Sequence, residues 1–238
     1  MELARLKRRL KPTKKDAAWI AVGSIGMLVL INAFSAIKNT VETPLAHNSK
    51  GVTIRWLSPT VKRWEKTINA MGKKYDIDPN LIAIIMTLES GGYSKAGSEA
   101  GAQGLMQVTE LTAGDIAQKF LKEPRSNYNL FDPKTNIEFG TAYLAYLRDE
   151  FGTYPDDPDW LRTVELVAAG YNGGPGTANA LEKGEGLRDT EPVIYSRDAF
   201  NMWRERHAAT SPTFDRWKER GGIDLINLAK EEHQKAKN

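Results

Sequence analysis

Glu89 stands where an acid could do chemistry. It follows the aliphatic run "LIAIIMTL" (81–88) and precedes Ser90, Gly91 and Gly92. On a helix begun at Asp78-Pro79, the residues Ile82, Ile85, Met86 and Glu89 fall at i, i+3, i+4 and i+7, on one face. An acid on an apolar face, at the negative end of a helix, holds its proton more tightly than one in water. A glutamate that stays protonated near neutral pH is suited to general acid catalysis. The glycines end the helix and let the next loop pass close to a ligand. Taken alone, the pattern also describes a helix-terminal glutamate turned to water, so periodicity makes Glu89 a candidate and no more.

Other chemistries are narrowed by composition. With no cysteine, the chain has no disulfide, no thiolate nucleophile and no cysteine zinc site. His47, His207 and His233 are far apart and show no metal-ligand spacing, so no metal is implied. Glu99, Glu110 and Asp115 sit among polar residues and read as a solvated face.

The elements that must position Glu89 are helical. Ser58-Pro59 is a helix-start signal, and Val61, Trp64, Ile68 and Met71 continue one face from it. Further helical patterns cover about 105–121, 134–151, 159–171 and 192–207, with glycine-rich breaks at 91–104 and 170–176. Alternating strand patterns are scarce. The expectation is a mostly α domain over 59–208. A linker covers 38–58. A C-terminal tail, 209–238, could form one more amphipathic helix through Ile223, Leu225, Ile226 and Leu228, with its end "KEEHQKAKN" solvated or frayed. Trp64, Trp160, Trp203 and Trp217 read as packing.

The front of the chain differs in character. Residues 1–16 carry seven Lys/Arg against Glu2 and Asp16, which accounts for the formal net charge of +3 and leaves the body slightly acidic. A nucleic-acid surface on the body is not indicated. Residues 17–37 are uncharged. As a helix they would extend roughly 31 Å, close to the ~30 Å of a bilayer's hydrocarbon core. A buried core helix would show a polar face, and a signal peptide would have a shorter apolar region, although Ala33-Phe34-Ser35 supplies a small-x-small triplet. The expected reading is an N-terminal transmembrane helix: 1–16 cytoplasmic, 17–37 the anchor, and 38–238 on the far side, since the basic residues precede the span.

Four segments taken in order resemble the SLT-type lytic transglycosylases, which belong to a lysozyme-like superfamily with the goose-type lysozymes. They are Glu89-Ser90; Gly104-Leu105-Met106-Gln107; Asn136-Ile137 with Gly140; and Gly170-Tyr171-Asn172-Gly173-Gly174. Any one is weak, but four at matching spacings are specific. The resemblance covers about 75–205. Gly170 stands where the family has alanine, and Glu191-Pro192 with Tyr195 stands where it often has Glu-Thr before a tyrosine.

The resemblance implies a lysozyme-like helical fold. It also implies cleavage of the β-1,4 bond between N-acetylmuramic acid and N-acetylglucosamine in peptidoglycan, with a 1,6-anhydro product. It assigns Glu89 as the single catalytic acid and base and puts Ser90, Met106, Gln107, Tyr171 and Asn172 at the substrate-binding site: Ser90 hydrogen-bonding within it, Met106 and Gln107 lining the cleft, Tyr171 near Glu89 to help set its proton, and Asn172 bonding sugar or the adjacent loop. Tyr93, after the double glycine, is a further candidate for the cleft wall. No cofactor is implied. The partners implied are glycan strands, the membrane through 17–37, and envelope or secretion-complex proteins. A hydrolytic muramidase and a non-catalytic peptidoglycan-binding module of an envelope machine are the alternatives.

Overall fold

The computed structural model describes residues 51–121, 128–152, 160–185 and 190–237. The basic segment 1–16, the apolar span 17–37 and linker residues 38–50 lie outside them. Among the described residues, no helix is long and apolar enough to cross a membrane.

The described helices run in the order α1 (Pro59–Lys62), α2 (Glu65–Tyr75), α3 (Pro79–Ser90), α4 (Glu110–Ile116), α5 (Pro133–Phe151), α6 (Leu161–Gly173), α7 (Pro175–Glu182), α8 (Glu191–Arg204), α9 (Pro212–Trp217) and α10 (Ile223–Lys235). Short π-helical turns, Ala117–Leu121 and Lys218–Gly222, extend α4 and join α9 to α10. The only strand-like pairing among the described residues is two isolated bridges, Gly97 with Gln103 and Gln103 with Val108.

One sequence device starts several helices. Ser58, Asp78, Asp132 and Ser211 each precede a proline, and each side chain accepts a hydrogen bond from a first-turn backbone N–H. Proline at the first helical position gives up no hydrogen bond, because that N–H has no intrahelical partner.

Helix α3 is the centre of the fold. Leu81 to Met86 are all at most 1% exposed, so the helix is covered all round and not along one face. Helices α1, α2 and α8 pack against it, and α6 lies between α5, α7 and α8.

The structure departs from the sequence expectations in five places. The helix from Pro59 breaks at Arg63-Trp64 into α1 and α2. Residues 104–107 are a turn and Val108 pairs back to Gln103, and the helix starts only at Glu110, where Thr109 caps α4 by accepting from Thr112 N at 3.1 Å. The glycine-rich break hides α7, which begins at Pro175. The end of the expected linker is part of the domain, with Ile54 and Leu57 buried in the core. The tail forms the expected helix, α10, and packs more closely than expected: Phe214, Trp217 and Ile226 join the core, and within the otherwise exposed ending Glu232 pairs with Arg63 at 2.6 Å.

Candidate active site

Glu89 lies in the last turn of α3. Gly91 closes that helix with φ +58°, its N–H donating to the Thr87 carbonyl. Such a left-handed position suits glycine. Glu89 keeps part of its surface open while the helix behind it is buried. From α8, the Tyr195 hydroxyl donates to Glu89 Oε1 at 2.7 Å. Burial pushes the Glu89 carboxyl up to about 8; the Tyr195 bond works against that rise, and the charge of Glu191 at the start of α8 adds to it. Burial outweighs the hydrogen bond, so the acid is protonated at neutral pH.

A pinned turn faces this helix end. Asn136, on α5 and fully buried, accepts from Met106 N at 2.6 Å through Oδ1 and donates through Nδ2 to the carbonyls of Gln103 and Leu130, each at 2.7 Å. Gly104 has φ +76°, and a Cβ there would lie 2.4 Å from Asn136 Nδ2. Gln107 also adopts a positive φ, +47°, and its side-chain Nε2 donates to the Gly104 carbonyl at 2.9 Å. The Gly-Leu-Met-Gln segment is therefore a strained turn wrapped on one asparagine.

Tyr171, near the end of α6, donates its hydroxyl to the Met106 carbonyl at 2.8 Å. Burial first, and then the charge of Glu89, raise its phenol well above the ordinary range. Gly140 on α5 makes room for this contact, since a Cβ would come within 2.6 Å of Met106 Cβ and 2.9 Å of the Tyr171 hydroxyl.

The residues expected at the site divide into two groups. Ser90 and Met106, both expected at the substrate site, are fully buried in this structure. Ser90 donates to the Leu105 carbonyl at 2.7 Å and accepts from Gly92 N at 3.2 Å, so it ties the end of α3 to the turn. Met106 contributes backbone groups to Asn136 and Tyr171. Glu89, Gln107, Tyr171, Asn172 and Tyr93 keep accessible surface. Tyr195 has no place among the site residues read from the sequence, although the tyrosine four residues after Glu191 was the signal for it.

Chemically, the arrangement holds one proton near a half-open surface, with a phenol fixing the carboxyl. Glu99 and Glu110 are exposed, and Asp115 sits where its charge acts on Tyr143 and Tyr146. Among the described residues, no group of three or more His, Asp or Glu could hold a metal ion.

A helical domain built around one protonated glutamate matches a known class. Residues 66–194 match the Transglycosylase SLT domain family, and the chain belongs to that family. It is 33% identical over 165 residues to "Membrane-bound lytic murein transglycosylase E" of Buchnera aphidicola subsp. Acyrthosiphon pisum, covering 68% of this chain and 72% of the relative. It is 34% identical over 126 residues to the protein of the same name in Buchnera aphidicola subsp. Baizongia pistaciae, covering 52% of this chain and 58% of that one. Among solved structures, an inactive mutant of lytic transglycosylase Slt from Pseudomonas aeruginosa aligns with TM-score 0.48 and 26% identity, over 65% of this chain and 26% of that one.

Proposed function

We propose that the chain is a peptidoglycan lytic transglycosylase that uses Glu89 as its single acid and base. The observation that carries this reading is a carboxyl held protonated at neutral pH by burial and fixed by Tyr195 at 2.7 Å. Its proton goes to the glycosidic oxygen between N-acetylmuramic acid and N-acetylglucosamine, and the bond from C1 of the muramyl sugar to that oxygen breaks. The carboxylate then takes the proton of the C6 hydroxyl of the same sugar, whose oxygen bonds to C1. Glu89 ends protonated, and no water is consumed. With no second carboxylate required, charge on the sugar ring is met by fixed dipoles and by the substrate's acetamido group.

Gln107, Asn172 and Tyr93 contact sugar in this reading, and Tyr171 sets the carboxyl's surroundings. Residues 59–208 are the body of the transglycosylase domain, with the end of the linker and the C-terminal tail packed onto it. The uncharged stretch 17–37 is a single-pass anchor in the cytoplasmic membrane, 1–16 stay in the cytoplasm, and the catalytic domain works on the extracytoplasmic side. The names of the two Buchnera relatives support the envelope location.

The test is to incubate the protein with peptidoglycan and weigh the released sugars by mass spectrometry. Muropeptides one water lighter than hydrolysed ones are expected. Products of full hydrolysed mass point to a muramidase, and binding without cleavage points to a binding module.

A further inference from the structure

We infer that the C-terminal helix α10 is a positioning element for the loop after Glu89, with Glu232 as its positioning residue. The inference rests on the proposal that Glu89 is the catalytic acid. Gly91 to Ser94 connect that acid's helix to the rest of the site, and the loop is gripped from two directions. On one side, Thr60 Oγ1 donates to the Gly91 carbonyl at 2.6 Å, and Trp64 Nε1 and an Arg63 guanidinium nitrogen donate to the Gly92 carbonyl at 3.2 and 3.1 Å. Gly92 is pressed so close that a Cβ would lie 2.3 Å from the Thr60 carbonyl oxygen.

The other side belongs to α10. The Glu232 carboxylate accepts from Ser94 N at 3.3 Å and from the Ser94 hydroxyl, and it pairs with Arg63 at 2.6 Å. The same guanidinium donates to the Ala229 carbonyl at 3.4 Å. Nearly two turns before Glu232 on α10, Leu225 and Ile226 stand 3.2 and 3.3 Å from where a Gly91 Cβ would be. The helix thus touches the loop at both ends. Burial alone would raise the Glu232 carboxyl, but the bonds from Ser94 and Arg63 outweigh it and hold the group below its usual range. It is therefore charged whenever Glu89 is protonated at neutral pH. Both halves of this grip, Thr60 to Trp64 and Leu225 to Glu232, lie outside the family-matched residues 66–194. They serve to hold a reacting group where a displacement of about 1 Å costs rate and not binding.

The experiment compares the full chain with Glu232→Ala, Glu232→Gln and Ser94→Ala. It measures kcat and KM on peptidoglycan, melting temperature, and amide hydrogen exchange at 92–94. Glu232→Ala should lower kcat about tenfold with KM within about twofold, and speed exchange of the Ser94 amide at least about tenfold. Glu232→Gln keeps an acceptor for Ser94 and should lie between wild type and Glu232→Ala. Unchanged Ser94 exchange, or faster exchange with unchanged kcat, overturns the inference. If Glu232→Ala does not fold, Ser94→Ala decides the same points. A wild type that cleaves nothing overturns the proposed function instead, and Ser94 exchange still decides whether α10 holds the loop.

Discussion

The Tyr195 hydroxyl donates to Glu89 Oε1 at 2.7 Å, joining two residues 106 apart in sequence. The bond favours the charged carboxylate, while the burial of α3 favours the neutral acid. Burial wins, and the carboxyl sits at about 8. Tyr195 therefore tempers the acid: it orients the carboxyl and keeps its proton transferable.

Tyr195→Phe removes that donor and leaves the ring in place. The pKa of Glu89 should rise, because the lost bond favoured the ionised form. In the wild type kcat/KM should fall as pH rises through about 8, where Glu89 loses its proton. In the variant that alkaline limb should move to higher pH. Turnover at neutral pH should drop about tenfold, the scale of one hydrogen bond. A pH profile of kcat/KM for both proteins checks the direction.

Glu89→Gln should abolish turnover and still bind glycan. It should also change how stability responds to pH. The folded protein holds this proton up to about 8, whereas the unfolded chain releases it near the ordinary value of 4.5. Between those values the folded state binds more protons, so wild-type stability declines as pH rises through the window. The slope from this one group is at most ~1.4 kcal/mol per pH unit, and the part of Glu89 open to solvent reduces it. The glutamine variant lacks that decline. Urea melts at pH 5 and pH 8 should show wild type losing more than Glu89→Gln; equal losses count against a buried acid.

Much of this site was legible because local rules agree with the global fold. The cap-proline pairs at Ser58 and Asp78 mark helix starts, and the apolar run before Glu89 marks a core helix. What periodicity could not show is which polar residues face inward. The family resemblance puts Ser90 and Met106 at the substrate site, yet both are fully buried and hold the turn together. Tyr195 escaped for a related reason: its partner is distant in the chain, and only the packing of α8 on α3 brings it near. In the tail the helix and its solvated ending were legible, but the docking was not, because Glu232 finds Arg63 across 169 residues.

Asn136→Ala removes three hydrogen bonds at once. Met106 N–H and the carbonyls of Gln103 and Leu130 lose their side-chain partner in a buried place. The cost should be about 2–5 kcal/mol, since unsatisfied buried polar groups add to the lost bonds. Asn136→Asp should fare little better, because a carboxylate accepts from Met106 but cannot donate to two carbonyls. Thermal melts of both variants check this; a loss below about 1 kcal/mol for Asn136→Ala would mean that the turn is held by other contacts.

Gly140→Ala tests the packing behind the acid. The new methyl would stand 2.6 Å from Met106 Cβ and 2.9 Å from the Tyr171 hydroxyl, too close for either to remain in place. Met106 belongs to the pinned turn and cannot retreat far, so the strain should pass to Tyr171 and break its 2.8 Å bond to the Met106 carbonyl. Overpacking of this kind costs about 1–3 kcal/mol. The effect on rate should exceed the effect on binding, because the methyl alters the surroundings of Glu89 and not Gln107, Asn172 or Tyr93, the proposed sugar contacts. We expect kcat to fall at least about tenfold with KM within about threefold. Tyr171→Phe in the same background separates the two causes. If the clash acts through the tyrosine hydroxyl, the double variant should be less impaired than the sum of the single changes. Strict additivity would instead assign the loss to Met106 and the turn.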